Sequence, residues 1–107
     1  MKKVIFTANA ENDIKQIFQF NSALNKSFAK RVNGQILEEI RILANYPDSA
    51  PIEPLLDYKT ETFRSLVVAD GRYKVIYTIK EEQILVHVIF DCRRDPEGIK
   101  PNIEDLK

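Results

Sequence analysis

A chain of 107 residues with 44% hydrophobic content is short for two domains and has the apolar content of one globular unit around one core. Sixteen basic and sixteen acidic side chains cancel, which excludes an overall field toward nucleic acid or anionic membrane and leaves any charge-driven contact local. Cys92 is the only cysteine, which excludes an internal disulfide or an all-cysteine metal site within one chain and fits a reducing cytoplasm.

The opening stretch MKKVIFTANAEND has an apolar run of only Val4, Ile5 and Phe6 before polar residues return, far short of a signal h-region or a membrane span. No membrane contact and a cytoplasmic location are therefore expected. Val4-Ile5-Phe6 reads as a short strand, and Thr7 or Asn9 can cap a helix behind it. Glu11 and Asp13 then fall in a first turn, where carboxylates suit the positive end of the macrodipole. Ala10, Ile14, Ile17, Phe18, Asn21 and Leu24 recur at three- and four-residue steps and predict an amphipathic helix.

A second stripe runs through Phe28, Val32, Ile36, Leu37, Ile40, Leu43 and Ala44, with Glu38, Glu39 and Arg41 assigned to its wet face. Residues Asn21 to Asn25 are the predicted joint. Two helices so closely joined form a hairpin that cannot bury both apolar faces alone and needs a sheet beneath it. From Asn45 to Glu61, Pro47, Pro51 and Pro54 end the second helix and stiffen a surface connection longer than most.

Three β runs follow, Phe63 to Val68, Arg72 to Ile79 and Ile84 to Asp91, separated by turns at Asp70-Gly71 and Glu81-Glu82. Period two places Tyr73, Val75, Tyr77 and Ile79 on the helix-facing side, and Arg72, Lys74, Ile76 and Thr78 on the other. In the last run Ile84, Val86, Val88 and Phe90 alternate with Leu85, His87, Ile89 and Asp91. The predicted fold is α+β, in the order β-α-α-β-β-β, with the helical hairpin on one face of a small, mainly antiparallel sheet. Residues 1–107 are expected to form one domain, with a core over 1–95 and a C-terminal tail over 96–107.

Chemistry concentrates at the end of the last run, VHVIFDCRRD. Arg93 and Arg94 are costly to bury unpaired, so adjacent arginines at a strand end meet solvent, a neighbouring carboxylate such as Asp91 or Asp95, or an anionic ligand. His87 titrates near neutrality and can act as a base, but a lone histidine among valines is more often a packed ring. His87, Asp91 and Cys92 are potential metal ligands, yet Cys92 points away from the other two. No metal and no cofactor is expected. Ile76, Leu85 and Ile89 fall on the face opposite the helices, which suggests an apolar surface meant for a protein partner.

In its whole order the chain resembles the RelE/ParE superfamily of bacterial type II toxin–antitoxin (plasmid stabilisation) toxins. The resemblance rests on the VIFT start and its AxxDIxxI helix, the PIEPL stretch before the sheet, FRSLVV, RYKVIYTI and the closing VIFDCRRDP. It implies a toxin that arrests growth and a cognate antitoxin that neutralises it, with Ile76, Leu85 and Ile89 as expected antitoxin contacts. Either a homodimer or a hetero-oligomer with the antitoxin is compatible with it.

Two trades exist in the superfamily. RelE-like members cleave messenger RNA on the ribosome, whereas ParE-like members bind DNA gyrase and cleave nothing themselves. Carried over by position, Arg64, Lys74 and Arg94 match basic residues of the RelE-like type, which would hold a scissile phosphate with His87 near them. However, Leu66 stands where a second lysine is expected, and the tail after Asp95 holds neither tyrosine nor histidine. The ParE-like pattern closes its last strand in a basic pair and needs no proton-transfer set. The leading expectation is thus a ParE-like binder with Arg93, Arg94, Lys74 and Arg64 at the target contact. The endonuclease and an inactivated, partner-binding relative are the alternatives.

Overall fold

The computed structural model describes residues 1–104. Residues 105–107 of the expected tail lie outside it. Strand β1 (Lys3–Phe6) leads into α1 (Ala8–Leu24) and α2 (Lys26–Ile42). Strands β2 (Arg64–Val68), β3 (Tyr73–Lys80) and β4 (Gln83–Asp91) follow, and a short α3 (Ile99–Glu104) closes the described chain. The sheet order is β1-β4-β3-β2, with β1 parallel to β4 and the other pairs antiparallel. This is the predicted α+β arrangement, extended by 3-10 turns at Pro54–Leu56 and Pro96–Gly98 and by α3 within the tail. Among the described residues, no helix is long and apolar enough to cross a membrane.

Thr7 caps α1, its hydroxyl accepting from the Ala10 amide at 3.2 Å. Asn25 ends α1 and starts α2, its side chain accepting from Phe28 N at 2.9 Å and its own N–H donating to Asn21 O. One residue therefore serves as the whole joint, because an asparagine can cap in the extended conformation while its N–H closes the preceding helix. The apolar stripes of both helices meet Val68, Tyr73, Val75, Tyr77, Ile84 and Val86 in one core.

Three sequence expectations fail at this level. Leu24, placed in the α1 stripe, is 73% exposed, and Leu37, placed in the α2 stripe, is 44% exposed. Glu39, placed on the wet face of α2, accepts from Ala69 N at 2.8 Å. That bond steadies a turn in which Ala69, Asp70 and Gly71 all take positive φ (54°, 55° and 86°), a conformation that costs a residue bearing a Cβ energy.

The larger departure is in β4. Ile76 pairs with Val88 and Tyr77 with Val86, so His87 is an extra residue opposite none, a β-bulge that turns over the alternation beyond it. Before the bulge Ile84 and Val86 face the helices, and after it Ile89 does, while Val88 and Phe90 pass to the far side. That far side is covered, not open. Leu56, Phe63, Ile76, Val88, Phe90, Ile99 and Ile103 form a second core there, made by the proline segment and α3. The segment expected as a surface loop runs beside β2, through a bridge from Ile52 to Arg64 and bonds from Glu53 N to Phe63 O (2.8 Å) and Ser65 N to Pro51 O (3.0 Å).

Candidate functional site

The bulge and second core undo the expected partner surface of Ile76, Leu85 and Ile89. Ile76 is fully buried under the C-terminal segment, Ile89 is buried on the helix side, and only Leu85 is half-buried. The three share no face, because an alternation counted through position 87 inverts at the bulge.

The cationic candidates Arg64, Lys74 and Arg94 are likewise kept apart. Arg64 pairs with Tyr77 in the β2–β3 register; its guanidinium donates to Ala50 O at 2.7 Å and lies 3.8 Å from Asp48. Lys74 is on the far face of the sheet, where its ammonium donates to Glu53 Oε1 at 3.0 Å. Arg94 lies beyond the end of β4. Arg64 thus projects from the opposite face to Lys74, and Tyr77 stands four residues along β3 from Tyr73, which pairs with Asp91, or roughly 13 Å at ordinary strand rise. No single phosphate can touch all three.

His87 is a packed ring. Its Nε2 is 2.8 Å from Thr78 Oγ1, and the ring meets Phe63 edge-on with centroids 5.4 Å apart. Burial pushes its pKa below the usual histidine value, with nearby Glu61 opposing and Lys80 assisting. A ring held neutral beside a hydroxyl and a phenyl is a structural element of the far face.

What the fold does assemble is a cleft of about 230 Å³ at the end of β4, rimmed by Asp13, Gln16, Phe20, Tyr73, Arg94 and Asn102. It exists because β1 stops at Phe6 while β4 continues to Asp91, which leaves the β4 edge without a strand. The start of α1 covers that edge with side chains. Thr7 Oγ1 and Asn9 Nδ2 donate to His87 O at 3.2 and 3.1 Å, and Asp13 Oδ2 accepts from Ile89 N at 2.9 Å. Partial burial raises the pKa of Asp13, against the lowering effects of the Ile89 N–H and of Arg94. Asp13 was expected only as a dipole partner in the first turn; its role as a lid on the sheet edge was missed. The hint is its spacing, four residues after Asn9 and beside the apolar Ile14 and Ile17.

The arginine pair divides its labour. Arg93 is clamped by Asp91, with Nε to Oδ1 at 3.0 Å and a terminal nitrogen to Oδ2 at 2.7 Å, and its guanidinium stacks 5.3 Å from the Phe20 ring. The clamp holds the Asp91 carboxyl below the usual aspartate range. Arg94 is exposed at the cleft rim, and among the described residues no carboxylate lies within ion-pair distance of it. A fixed guanidinium plane beside a free one on an aromatic ledge can fork onto carboxylates or phosphates presented from outside.

A family model described as the ParE toxin of type II toxin-antitoxin system, parDE, matches residues 4–96. The fold is similar to that of a solved chain described as the chromosomal ParDE TA system from P. aeruginosa. The TM-score is 0.72 at 17% identity, over 85% of this chain and 96% of that chain. No curated protein matches the sequence at a significant level.

Proposed function

The chain belongs to the ParE toxin family of type II toxin–antitoxin systems, and from that premise we propose that it arrests growth by binding an essential enzyme of DNA topology, DNA gyrase in the manner of ParE-like proteins, and is silenced by a cognate antitoxin. The contact with the target is the arginine end of β4. The observation that carries this reading is Arg94, a guanidinium with no carboxylate within ion-pair distance among the described residues, set beside the clamped Arg93 at the rim of the cleft where β4 runs past β1. An exposed arginine in the turn that follows β4, next to a clamped neighbour, can meet an external anion with charge-assisted bonds.

The endonuclease reading is disfavoured by the separation of Arg64, Lys74 and Arg94 over both faces of the sheet and by the neutral, packed His87. Expression of the chain without its antitoxin distinguishes the two. Growth arrest with a DNA-damage response, intact transcripts and inhibition of supercoiling by purified gyrase are expected. Codon-phased cuts within translated messages would overturn the binding mechanism in favour of cleavage. Co-expression with a small adjoining open reading frame should restore growth and yield a complex that co-purifies.

A further inference from the structure

The helical hairpin tip and the arginine end are the same end of the molecule. Asn21 Nδ2 donates to the buried Tyr73 hydroxyl at 3.2 Å, and Cys92 N donates to Arg72 O at 3.0 Å. Those bonds draw the last turn of α1, the start of β3 and the end of β4 together. Arg72 and Arg31 place their guanidiniums 5.2 and 5.4 Å from the Phe28 ring, and Arg93 sits over Phe20. Next to these stacks Phe20 is 54% and Leu24 is 73% exposed, one helical turn apart on α1. Lys26, Lys30, Arg31, Arg72, Arg93 and Arg94 outnumber Asp13, Asp70, Asp91 and Asp95 here, on a chain whose net charge is zero.

We infer that this end is a docking surface for an acidic, amphipathic segment of a protein partner, whose apolar side chains cover Phe20 and Leu24 while its carboxylates meet the outward N–H edges of Arg31 and Arg72. The inference rests on the arginine end being the contact surface and widens it from a strand end to the hairpin tip. Charge complementarity selects an acidic occupant. The apolar pair selects a protein: Leu24 gains nothing from phosphates, and the Phe20 and Phe28 rings already carry guanidiniums, which removes them as stacking platforms for bases. A guanidinium stacked on a ring keeps its plane fixed; Arg72 spends one terminal nitrogen on Ala69 O at 3.4 Å and lies 3.9 Å from Asp70, so its remaining donors and those of Arg31 are the ones turned to an outside carboxylate, beside aromatic rings as at interface hot spots.

Fluorescence anisotropy with the full chain and two labelled probes, a helical peptide of glutamates flanking a leucine stripe and an oligothymidylate, tests it. The chain should bind the peptide in a salt-sensitive way and more tightly than the oligothymidylate. Phe20→Ser with Leu24→Ser, and separately Arg31→Ala with Arg72→Ala, should each weaken peptide binding by about tenfold or more, with circular dichroism unchanged. Tighter binding of the oligothymidylate would make this a nucleic-acid face. Absence of peptide binding, or binding indifferent to both pairs of substitutions, would reduce it to ordinary surface. Neither failure touches the growth-arrest reading, which is tested separately by whether Arg93→Ala with Arg94→Ala remains toxic.

Discussion

Lys74 Nζ lies 3.0 Å from Glu53 Oε1, joining the strand β3 to a carboxylate that is 1% exposed. Burial alone would raise the pKa of Glu53, but the Leu55 N–H, Lys74 and the Ser65 hydroxyl outweigh it and hold the carboxyl below the usual glutamate range. Lys74→Met leaves this carboxylate buried and unpaired and is expected to cost roughly 3 kcal/mol, while adding Glu53→Leu should recover much of that loss. Because the folded pKa is depressed, the stabilisation is present above the unfolded value near 4.5 and is lost as pH falls through the folded one. Urea unfolding of the two variants and the parent at neutral and acid pH measures both effects.

Asp13 behaves with the opposite sign. Its folded pKa is raised by burial from the ordinary 3.8, so across that window the folded state holds more protons and stability rises on acidification. What matters structurally is its oxygen, which satisfies Ile89 N on the exposed edge of β4. Asp13→Asn keeps an acceptor and removes the buried charge, and should be neutral or slightly stabilising at pH 7. Asp13→Ala orphans the Ile89 amide and should cost about 1–3 kcal/mol. Equal destabilisation by the two substitutions, measured by thermal unfolding, would show that charge and not the edge bond is the determinant.

Strand and helix positions were legible from periodicity, and so was their stacking, since a hairpin with two apolar stripes has one way to bury them against a half-apolar sheet. The faces of β4 were not, because a bulge at His87 adds a residue without any mark in composition, and one residue inverts every side chain beyond it. The fate of Lys74 was equally hidden. Its partner Glu53 lies twenty-one positions away in a proline-rich stretch that reads as surface loop, and only the fold brings that stretch under β3. Arg93 and Arg94 were singled out from local sequence; that Asp91 clamps one and leaves the other free follows from strand-end geometry.

His87 is the sole histidine, which makes its titration separable from the rest. Its folded pKa lies below the unfolded 6.5 because burial disfavours the imidazolium. Below pH 6.5 the unfolded state binds the extra proton first, so stability falls as pH drops from 6.5 toward the folded pKa. His87→Gln can keep a hydrogen bond to Thr78 and should flatten this slope between pH 7 and 5.5 without changing toxicity. Urea midpoints at those two pH values check the slope. A toxicity that varies with His87 ionisation while stability does not would assign the ring to function.

Arg94 and Arg93 are predicted to be unequal although they are adjacent. Arg93 spends its donors on Asp91 and its face on Phe20, so Arg93→Ala mainly frees Asp91 and disturbs the ledge. Among the described residues Arg94 has no carboxylate within ion-pair distance, so Arg94→Ala should remove the proposed contact with the target. Both are exposed, and neither substitution should alter the circular dichroism spectrum. Colony counts after induction without antitoxin should therefore show a larger loss of toxicity for Arg94→Ala than for Arg93→Ala, and complete loss for the pair. Arg94→Lys should restore only part of it, because an ammonium keeps the charge but not the two-pronged fork. A folded double variant that still arrests growth would leave the arginine end as solvated rim and move the target contact elsewhere on the molecule.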